Sequence, residues 1–355
     1  MLPLNTPPAT VCLLRLSAIG DTCHVVPLLR NLQDAWPGTR FTWVIGKVEA
    51  KLMRLIPEVE FITVDKRAGF GALSELRMAM RGRQFDLLMH LQLALRASLA
   101  AACIPARLKL GFDRARAREL QWLFTNARIA PRQREHVLDS FLGFAAAAGA
   151  PSGPLRWNLP LPADARAYAE QLIPDATPTL VISPCSSHRL RNWSVARYAA
   201  VAEHAVRTHG MRVILAGGPS ELERDMGAAI AQVVSAPIVN QIGQDTLPQL
   251  LALLARATAL VSPDSGPAHM ATMVGTPVIG LYAATNPARS GPYLSQRWCV
   301  DRYGVAAERY LGKPAAALAW TRKIEAPGVM DLITVDSVCA KLDELLGLPA
   351  VARRT

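Results

Sequence analysis

The sequence predicts an α/β protein built from two doubly wound parallel sheets. Short apolar segments alternate with longer segments of helical pattern through both halves of the 355-residue chain. This alternation is expected of βαβ units that form a parallel sheet with helices on both faces. The length suits two such domains. Each half also has a short glycine motif directly after an apolar run, where open α/β sheets place ligand-binding groups. We therefore expect two sheets that face one cleft.

The elements of the first half follow from its apolar runs and its helix-ending prolines. Strands are predicted over residues 10–16, 40–45, 61–64 and 85–91. Helices are predicted over residues 25–35, 49–55, 73–81 and 95–103. Pro37 and Pro57 follow the first two helices, and proline cannot continue a helix.

Prolines are frequent between residues 150 and 178, which predicts an interdomain region there. The alternation then restarts, with strands predicted over residues 180–183, 212–216, 238–241, 259–261 and 278–282. Helices between them are predicted over residues 195–209 and 247–256. A final amphipathic helix is predicted over residues 336–346, with Thr334 as its N-cap.

Composition restricts the class of protein. The net charge of +11 is dispersed along the chain, without an RNA- or DNA-binding motif. It fits an anionic substrate or an anionic membrane surface, or simply an arginine-rich composition. The six cysteines include no C-x-x-C pair, so buried reduced thiols are expected. No signal peptide or membrane span is apparent. We expect a soluble cytoplasmic protein with at most peripheral membrane contact.

The first motif, RLSAIGD at residues 15–21, directly follows a predicted strand. Gly20 is expected to supply backbone freedom at the turn. Asp21 is either a helix N-cap or a general base that accepts a proton from a hydroxyl nucleophile. His24 either orients Asp21 or simply packs in the helix. The motif is neither a G-x-G-x-x-G fingerprint nor a P-loop.

The second motif, SPDSGPAH at residues 262–269, also follows a predicted strand. Ser265 and Gly266 are expected at a helix N-terminus, which offers backbone N–H groups and a positive dipole end to an anion such as a diphosphate. Asp264 is expected to accept hydrogen bonds from sugar hydroxyls or to orient the turn. His269 is either a donor to a phosphate oxygen or a structural histidine.

A third loop, residues 183–193, carries hydroxyl groups and two arginines after the first strand of the second half. Arg189 and Arg191 are candidates for a diphosphate, because a guanidinium donates two parallel hydrogen bonds. Glu221, after the next strand, is a candidate for a ribose hydroxyl, and Glu223 is its rival. The chain has no D-x-D pair, and no cluster of His, Asp or Glu has the spacing of metal ligands. We therefore expect no metal site.

These motifs in this order resemble the family 9 glycosyltransferases, the ADP-heptose:lipopolysaccharide heptosyltransferases. The resemblance extends over nearly the whole chain. It rests on LRLSAIGD at 14–21, RNW at 191–193, GG at 217–218, SPDSGPAH at 262–269 and GPY at 291–293. HLQ at 90–92 and LGFD at 110–113 resemble the branch that attaches the first heptose to Kdo, some members of which act on phosphorylated Kdo.

The resemblance implies a GT-B fold of two Rossmann-like domains. Residues 1–165 would bind the acceptor, residues 166–330 would bind the nucleotide sugar, and a helix in residues 331–355 would pack back on the first domain. The implied reaction is an inverting, metal-independent transfer from ADP-L-glycero-β-D-manno-heptose, without a cofactor. The implied partners are Kdo-lipid A and the inner face of the cytoplasmic membrane, with no nucleic acid.

The resemblance also assigns roles to residues. Asp21 matches the catalytic base. On the acceptor side we expect Arg15, Ser17, Gly20, Gln92 and Arg96. On the donor side we expect Ser183, Ser186, Arg189, Arg191, Gly217, Glu221, Asp264, Ser265, Gly266 and His269. Two positions depart from the family pattern: Arg191 stands where lysine is frequent, and Ala18 stands where a hydroxyl residue is frequent. Charge alone makes Arg114, Arg116 and Arg118 further acceptor candidates.

Two alternatives stay open from the sequence. One is a different nucleotide-sugar enzyme on the same fold, either another glycosyltransferase or a sugar-nucleotide epimerase, which would change the donor without a Kdo acceptor. The other is a basic binding protein for anionic lipid or nucleic acid, which would bind with strong salt dependence and without nucleotide affinity.

Overall fold

The computed structural model describes residues 2–347. The chain divides into two compact units at the junction of Pro160 and Leu161, slightly before the predicted boundary at residue 165.

The first unit alternates strands and helices from its start. Its strands are β1 (Thr10–Leu14), β2 (Arg40–Gly46), β3 (Val59–Val64), β4 (Phe85–His90), β5 (Ala106–Gly111) and β6 (Ala127–Arg128). Its helices are α1 (Ile19–Ala35), α2 (Lys47–Met53), α3 (Phe70–Ala79), α4 (Leu95–Ala102) and α5 (Val137–Ala148).

These six strands form one parallel sheet in the order β3-β2-β1-β4-β5-β6. The order reverses between β1 and β4, which is the topological switch point of a Rossmann-type sheet. Both central strands are buried along nearly their whole length. Strands covered by helices on both faces are expected to be continuous apolar runs, which explains why β1 and β4 were predicted from the sequence.

The second unit repeats the pattern. Its strands are β7 (Thr179–Ile182), β8 (Arg212–Leu215), β9 (Val239–Asn240), β10 (Ala259–Pro263), β11 (Val278–Tyr282) and β12 (Val300–Asp301). Its helices are α6 (Ala163–Leu172), α7 (Val195–His209), α8 (Glu221–Val233), α9 (Leu247–Arg256), α10 (Gly266–Met273), α11 (Pro287–Ser290), α12 (Tyr303–Leu311) and α13 (Val335–Leu346).

The second sheet has the same topology as the first. Its order is β12-β11-β10-β7-β8-β9, and all its pairs are parallel. The switch point therefore lies between β7 and β10. The prediction of two doubly wound parallel sheets is confirmed. Edge strands β6, β9 and β12 are two residues long. Neither β5, β6, β12 nor α5 was predicted.

Helix α1 begins earlier than the sequence pattern indicated. It starts at Ile19 with Ala18 as N-cap, so Gly20 and Asp21 lie inside its first turn. Gly20 has helical backbone angles and is absent from the glycines with positive φ. The predicted role of Gly20 in a turn is therefore wrong. Asp21 occupies the third helical position, where its carboxylate accepts a hydrogen bond from the Ala18 N–H at 3.3 Å.

A proline inside α1 is compensated by a tryptophan from the end of the first unit. Pro27 has no N–H, so it cannot donate the helical hydrogen bond to the Cys23 carbonyl. The indole N–H of Trp157 donates to that carbonyl instead, at 3.0 Å. Arg30 holds the same segment by donating to the Trp157 carbonyl at 3.1 Å. Residues 150–160 of the predicted interdomain region are therefore folded into the first unit.

The rest of the predicted interdomain region belongs to the second unit. Helix α6 packs on α9 through Ala165, Ala169 and Ala252. The division of the chain at Pro160 and Leu161 thus lies inside the proline-rich stretch, although most of that stretch is folded into one unit or the other, as at Pro162 before α6.

The final helix buries its apolar face within its own unit. Val338, Leu342 and Leu345 are buried in the core of the second unit, where α13 packs on α7. Thr334 caps the helix by accepting a hydrogen bond from the Ser337 N–H, as predicted. The packing of this segment on the first domain stays a prediction. Residues 348–355 of the predicted segment lie outside the described residues. Among residues 2–347, we find no helix with the length and apolarity of a membrane span.

The compensation of Pro27 predicts a specific rescue. Trp157→Phe leaves the buried Cys23 carbonyl without its donor, and we expect it to lower the free energy of unfolding by about 1–3 kcal/mol. Pro27→Ala in the same chain restores a backbone N–H at that position and should recover most of the loss. Urea denaturation of the single and double variants measures both effects. Additive effects of the two substitutions would contradict this account of the contact.

Candidate active site

The first unit gathers predicted residues at the carboxyl edge of its sheet. Arg15 and Ser17 follow β1, Gln92 follows β4, and Asp21 lies on the first turn of α1. Strands β1 and β4 are the two strands at the switch point. These side chains therefore occupy the position where open α/β sheets bind ligands.

The carboxylate of Asp21 is anchored on one side and open on the other. The Arg15 guanidinium forms an ion pair with Asp21 and donates to the Leu91 carbonyl at 2.6 Å. It also lies 5.5 Å from the ring centre of Phe141. The side chain of Arg15 is 13% exposed, whereas that of Asp21 is 34% exposed. A carboxylate fixed in place by a buried cation but accessible to solvent has the geometry of a general base.

Gln92 holds the loop that carries Ser17. Its side-chain oxygen accepts a hydrogen bond from the Leu16 N–H at 2.7 Å, and its side-chain nitrogen donates to the Ser17 hydroxyl at 3.4 Å. The amide of Gln92 is engaged by the loop at both ends. Gln92 is thus a positioning residue that joins the loop after β1 to the end of β4.

The basic acceptor candidates differ in how they are held. Arg96, on α4, is exposed and donates to the Lys66 carbonyl at 3.3 Å. Arg116 forms ion pairs with Asp113 and Glu135, which already compensate its charge. Arg114 lies over the ring of Trp122 at 5.1 Å. Of these three arginines, Arg116 is the compensated one, whereas Arg96 and Arg114 are both exposed.

His24 is a packing residue. It is buried, and its ring meets that of His136 edge to face, with centroids 5.2 Å apart. This contact supports the structural interpretation of His24 that the sequence left open beside an orienting role.

In the second unit, α10 begins where the sequence predicted an anion site. Ser265 is the N-cap and Gly266 the first helical residue. The Ser265 side chain does not cap the helix, because its hydroxyl pairs with the Ser262 hydroxyl at 2.7 Å. The first N–H groups of α10 are thus left without a side-chain cap, which suits them to an anionic ligand.

Asp264 faces internal donors. Its carboxylate lies 3.8 Å from His269 Nε2 and accepts from the Ser290 hydroxyl at 3.5 Å. Burial raises the pKa of Asp264, but hydrogen bonds from His269 and Thr285 outweigh that effect and leave it below its ordinary value. Asp264 therefore stays ionised and orders the turn around His269, which is itself buried.

The loop after β7 is closed by its own hydrogen bonds. Ser183 is buried, and its N–H donates to the Val261 carbonyl at 3.0 Å, which joins β7 to β10. The Ser186 hydroxyl accepts from the His188 N–H at 3.3 Å, and the Ser186 N–H donates to Asn192 at 2.7 Å. These bonds give structural roles to the Ser183 N–H, which joins two strands, and to the Ser186 N–H and hydroxyl, which close the loop. They also fix the backbone that carries the two arginines.

The two candidate arginines are not equivalent. Arg189 is exposed, whereas the Arg191 side chain is only 13% exposed and donates from Nε to Glu325 at 2.7 Å. Glu325 and its neighbour Lys323 were missed from the sequence, because they lie in an irregular stretch without a motif. Loss of hydration and the nearby Arg191 both lower the pKa of Lys323. Arg191, Lys323 and Glu325 thus form a charged group that also interacts with Asp264.

At the glycine turn after β8, Glu223 and not Glu221 makes the hydrogen bonds. Glu223 accepts from the Gly218 N–H at 2.7 Å and from the Ser220 hydroxyl at 2.5 Å. A Cβ atom on Gly218 would lie 2.9 Å from Glu223 Oε2, while one on Gly217 would lie 3.4 Å from Oε1. Glu221 is exposed at the start of α8. The geometry favours the rival, Glu223, as the acidic residue at this turn.

Comparison with known proteins supports the sequence resemblance. A sequence profile described as glycosyltransferase family 9 (heptosyltransferase) matches residues 73–316. The chain belongs to glycosyltransferase family 9. It is therefore a glycosyltransferase. It is 39% identical to the lipopolysaccharide core heptosyltransferase OpsX of Haemophilus influenzae over 345 residues, which are 97% of this chain and 99% of that protein. It is 24% identical to lipopolysaccharide heptosyltransferase 3 of Escherichia coli over 298 residues, 79% and 86% of the two chains.

Solved structures of family 9 enzymes share the fold. A family 9 glycosyltransferase from Veillonella parvula matches with a TM-score of 0.78 and 21% identity, over 95% of this chain and 97% of that chain. The E. coli heptosyltransferase WaaC with ADP matches with a TM-score of 0.74 and 21% identity, over 94% and 99%. The expected fold class, two Rossmann-like domains of GT-B type, is confirmed.

The state of Asp264 in this glycosyltransferase predicts a pH dependence. Its pKa in the folded protein lies below the unfolded value of about 3.9. The stabilisation is therefore fully present above that value and is lost as pH falls through the folded pKa. We expect Asp264→Asn to cost roughly 1–3 kcal/mol at neutral pH, because it disrupts a buried charge-assisted network.

The measurement is urea denaturation of the wild type and of Asp264→Asn from neutral pH down to about pH 3. The difference between them should shrink in acid. Asp225→Asn is the control, because Asp225 is exposed on α8. A difference that stays constant down to the lowest pH would contradict the assignment.

Proposed function

We propose that this glycosyltransferase transfers L-glycero-D-manno-heptose from ADP-heptose to Kdo of the lipopolysaccharide inner core, with inversion and without a metal. The observation that carries the proposal is the Asp21 carboxylate, held by Arg15 at the switch point and open to solvent. The names of the family 9 relatives support the sugar and the lipopolysaccharide acceptor.

In the proposed reaction, Asp21 is the general base. Its carboxylate takes the proton of a Kdo hydroxyl while that oxygen attacks the anomeric carbon of the heptose. The new carbon–oxygen bond forms on the face opposite the bond to ADP, which breaks and leaves its electron pair on the diphosphate. Arg15 keeps the carboxylate in position from one side. Positioned proton transfer of this kind typically contributes 10²–10⁴-fold to the rate.

The leaving diphosphate is stabilised by protein groups in this proposal. The uncapped N–H groups at the start of α10 face the anion, and Arg191 adds a guanidinium that can donate two hydrogen bonds. Apart from the acceptor, the donor ADP-heptose is the only small molecule that the proposed reaction requires. Metal independence rests on the absence of a D-x-D pair in the sequence and on these cationic and N–H groups.

The acceptor is an anionic lipid, Kdo-lipid A, with or without phosphate on the Kdo. The exposed Arg96 suits the negative charge of such an acceptor. The net charge of +11 suits peripheral binding at the cytoplasmic face of the inner membrane, where anionic headgroups attract basic proteins.

The direct test is ADP release from ADP-heptose in excess EDTA, with and without Kdo₂-lipid A or a Kdo-phosphate analogue. Release that depends on the acceptor is the expected result, and the better acceptor identifies the branch. No release with either acceptor would refute the proposed donor and acceptor pair. Conversion of the donor to an isomer without acceptor would instead favour the epimerase alternative.

The role of Asp21 predicts a separation of turnover from donor binding. We expect Asp21→Ala and Asp21→Asn to lower kcat by about 10²–10⁴-fold, because both remove the base. The Kd for ADP, measured by calorimetry, should stay within about twofold of the wild type, a change near 0.4 kcal/mol. Asp34→Asn on the same helix is the control. Wild-type turnover in both Asp21 variants would disprove the base assignment.

The two arginines of the donor loop predict different effects. Arg191→Ala removes a partly buried guanidinium and leaves Glu325 beside the proposed diphosphate site with only Lys323 and His188 near it, so ADP binding should weaken by about tenfold or more. Arg191→Lys should retain part of the affinity, because it keeps the charge but loses the bidentate geometry. Arg189→Ala should change the Kd much less, since Arg189 is exposed. Equal losses in the Arg189 and Arg191 variants would contradict the distinction.

A further inference from the structure

We propose that the second unit binds a divalent transition-metal ion between α7 and α13, on His204, His209 and Asp343. These residues offer one ligand atom each, and the three atoms lie within 4.8 Å of one another. The site is separate from the residues assigned to glycosyl transfer, and the inference is independent of the proposed donor and acceptor.

The three side chains converge on one point. The Nε2 atoms of His204 and His209 lie 2.7 Å and 2.6 Å from the same oxygen, Oδ1 of Asp343. The two imidazole rings are 5.3 Å apart and nearly perpendicular. The two Nε2 atoms thus lie beside the same carboxylate oxygen, so one ion can reach all three ligand atoms.

The fold brings these residues together, although their sequence spacing does not suggest it. His209 is the last residue of α7, five positions after His204, where a straight helix would place the two on different sides. Asp343 lies on α13, 134 residues beyond His209. The burial of the apolar face of α13 in the core seats Asp343 beside the end of α7. The sequence prediction of no metal site could not include this juxtaposition.

The ligand set selects the class of ion. Two imidazole nitrogens and one carboxylate oxygen suit Zn²⁺, Co²⁺, Ni²⁺ or Cu²⁺, whereas Mg²⁺ and Ca²⁺ prefer oxygen ligands. Three protein ligands leave one tetrahedral position for water. The side chains of His204, His209 and Asp343 are 25%, 22% and 47% exposed, so an ion and its water can enter from solvent.

The imidazole protons can be accounted for when an ion binds. Without a metal, each Nε2 donates its proton to Asp343. A bound ion takes the Nε2 lone pairs, so a neutral ring carries its proton on Nδ1 and a doubly protonated ring releases one proton to solvent. For His204 the structure already provides the acceptor, because Nδ1 lies 3.3 Å from the Thr208 hydroxyl. Such a partner orients a metal-bound imidazole.

The three ligand atoms must shift to share an ion. Two ligand atoms about 2.0–2.1 Å from a tetrahedral ion are about 3.3 Å apart, so the nitrogen–oxygen distances must lengthen by roughly 0.6–0.7 Å. The two Nε2 atoms, which lie within 4.8 Å of each other, must come to about the same separation. Side chains on the surface of two helices can make this change by rotation.

The location indicates a structural role for the ion. Helix α7 starts after the carboxyl end of β7 and runs back, so His209 lies just before β8 begins at Arg212. The histidines are thus at the amino edge of the sheet, opposite the edge that carries Arg191 and Ser265. The ion would clamp the last described helix to the body of the second unit, and it would raise the stability of that unit when bound.

The test is calorimetric titration of the full-length protein, without a polyhistidine tag, with ZnCl₂. We expect one ion per chain with a Kd of about 10 μM or tighter. His209→Gln and Asp343→Asn should each weaken binding by at least about tenfold, and Thr208→Ala by a factor of about ten, as for second-sphere partners of metal ligands. Glu344→Gln, which removes the neighbouring exposed carboxylate, is the matched control and should bind like the wild type.

Two further readouts keep the test decisive. Circular dichroism and thermal unfolding establish that each variant folds, and Zn²⁺ should raise the Tm of the wild type more than that of His209→Gln. Co²⁺ should give visible bands without the near-ultraviolet charge-transfer band of thiolate ligands, which separates this site from the free cysteines. Absence of saturable Zn²⁺ binding by the wild type would overturn the proposal. Unchanged binding in folded His209→Gln and Asp343→Asn would overturn it as well.

Discussion

The parallel pairing of all the strands determines where chemistry can occur in this chain. Each crossover brings the start of a helix and its preceding loop to the carboxyl edge of the sheet. At the point where the strand order reverses, two such loops diverge and leave room for a ligand. Both units obey this rule with the same strand order. The Arg15–Asp21 pair follows β1 and the start of α10 follows β10, so each lies at the switch point of its own sheet.

Each unit has an arginine at its carboxyl edge whose charge is compensated by a carboxylate. Arg15 is paired with Asp21, and Arg191 is paired with Glu325. A partly buried arginine without a counter-charge would be costly, so each pair stabilises the unliganded site. The two pairs differ in their consequence. In the proposed reaction, the carboxylate of the first pair is the reactive group and its arginine holds it, whereas the arginine of the second pair binds the diphosphate and its carboxylate holds it beforehand.

Some side chains are needed because they form hydrogen bonds with backbone groups that would otherwise lack a partner, and motif analysis does not detect them. Pro27 interrupts the hydrogen bonding of α1, and the indole of Trp157 supplies the missing donor from the far end of the same unit. Gln92 similarly satisfies the Leu16 N–H and holds Ser17 in the loop that precedes Asp21. Both side chains act on the helix or loop of the candidate site. The precision of the site thus depends on residues chosen for their hydrogen-bonding capacity.

The sequence by itself determined the central strands, the two-unit α/β class and the motifs at both switch points. These features are local: an apolar run followed by a turn and a helix start is contiguous in the chain. It did not determine the two-residue edge strands β6 and β12, which are too short to carry a periodic pattern. Only the tertiary structure decided that Glu325 pairs with Arg191, that Glu223 rather than Glu221 contacts the glycine turn, and that Asp343 meets two histidines. Such partners are selected by the packing of segments more than a hundred residues apart, or by the orientation of one helical turn, and neither is encoded in local periodicity.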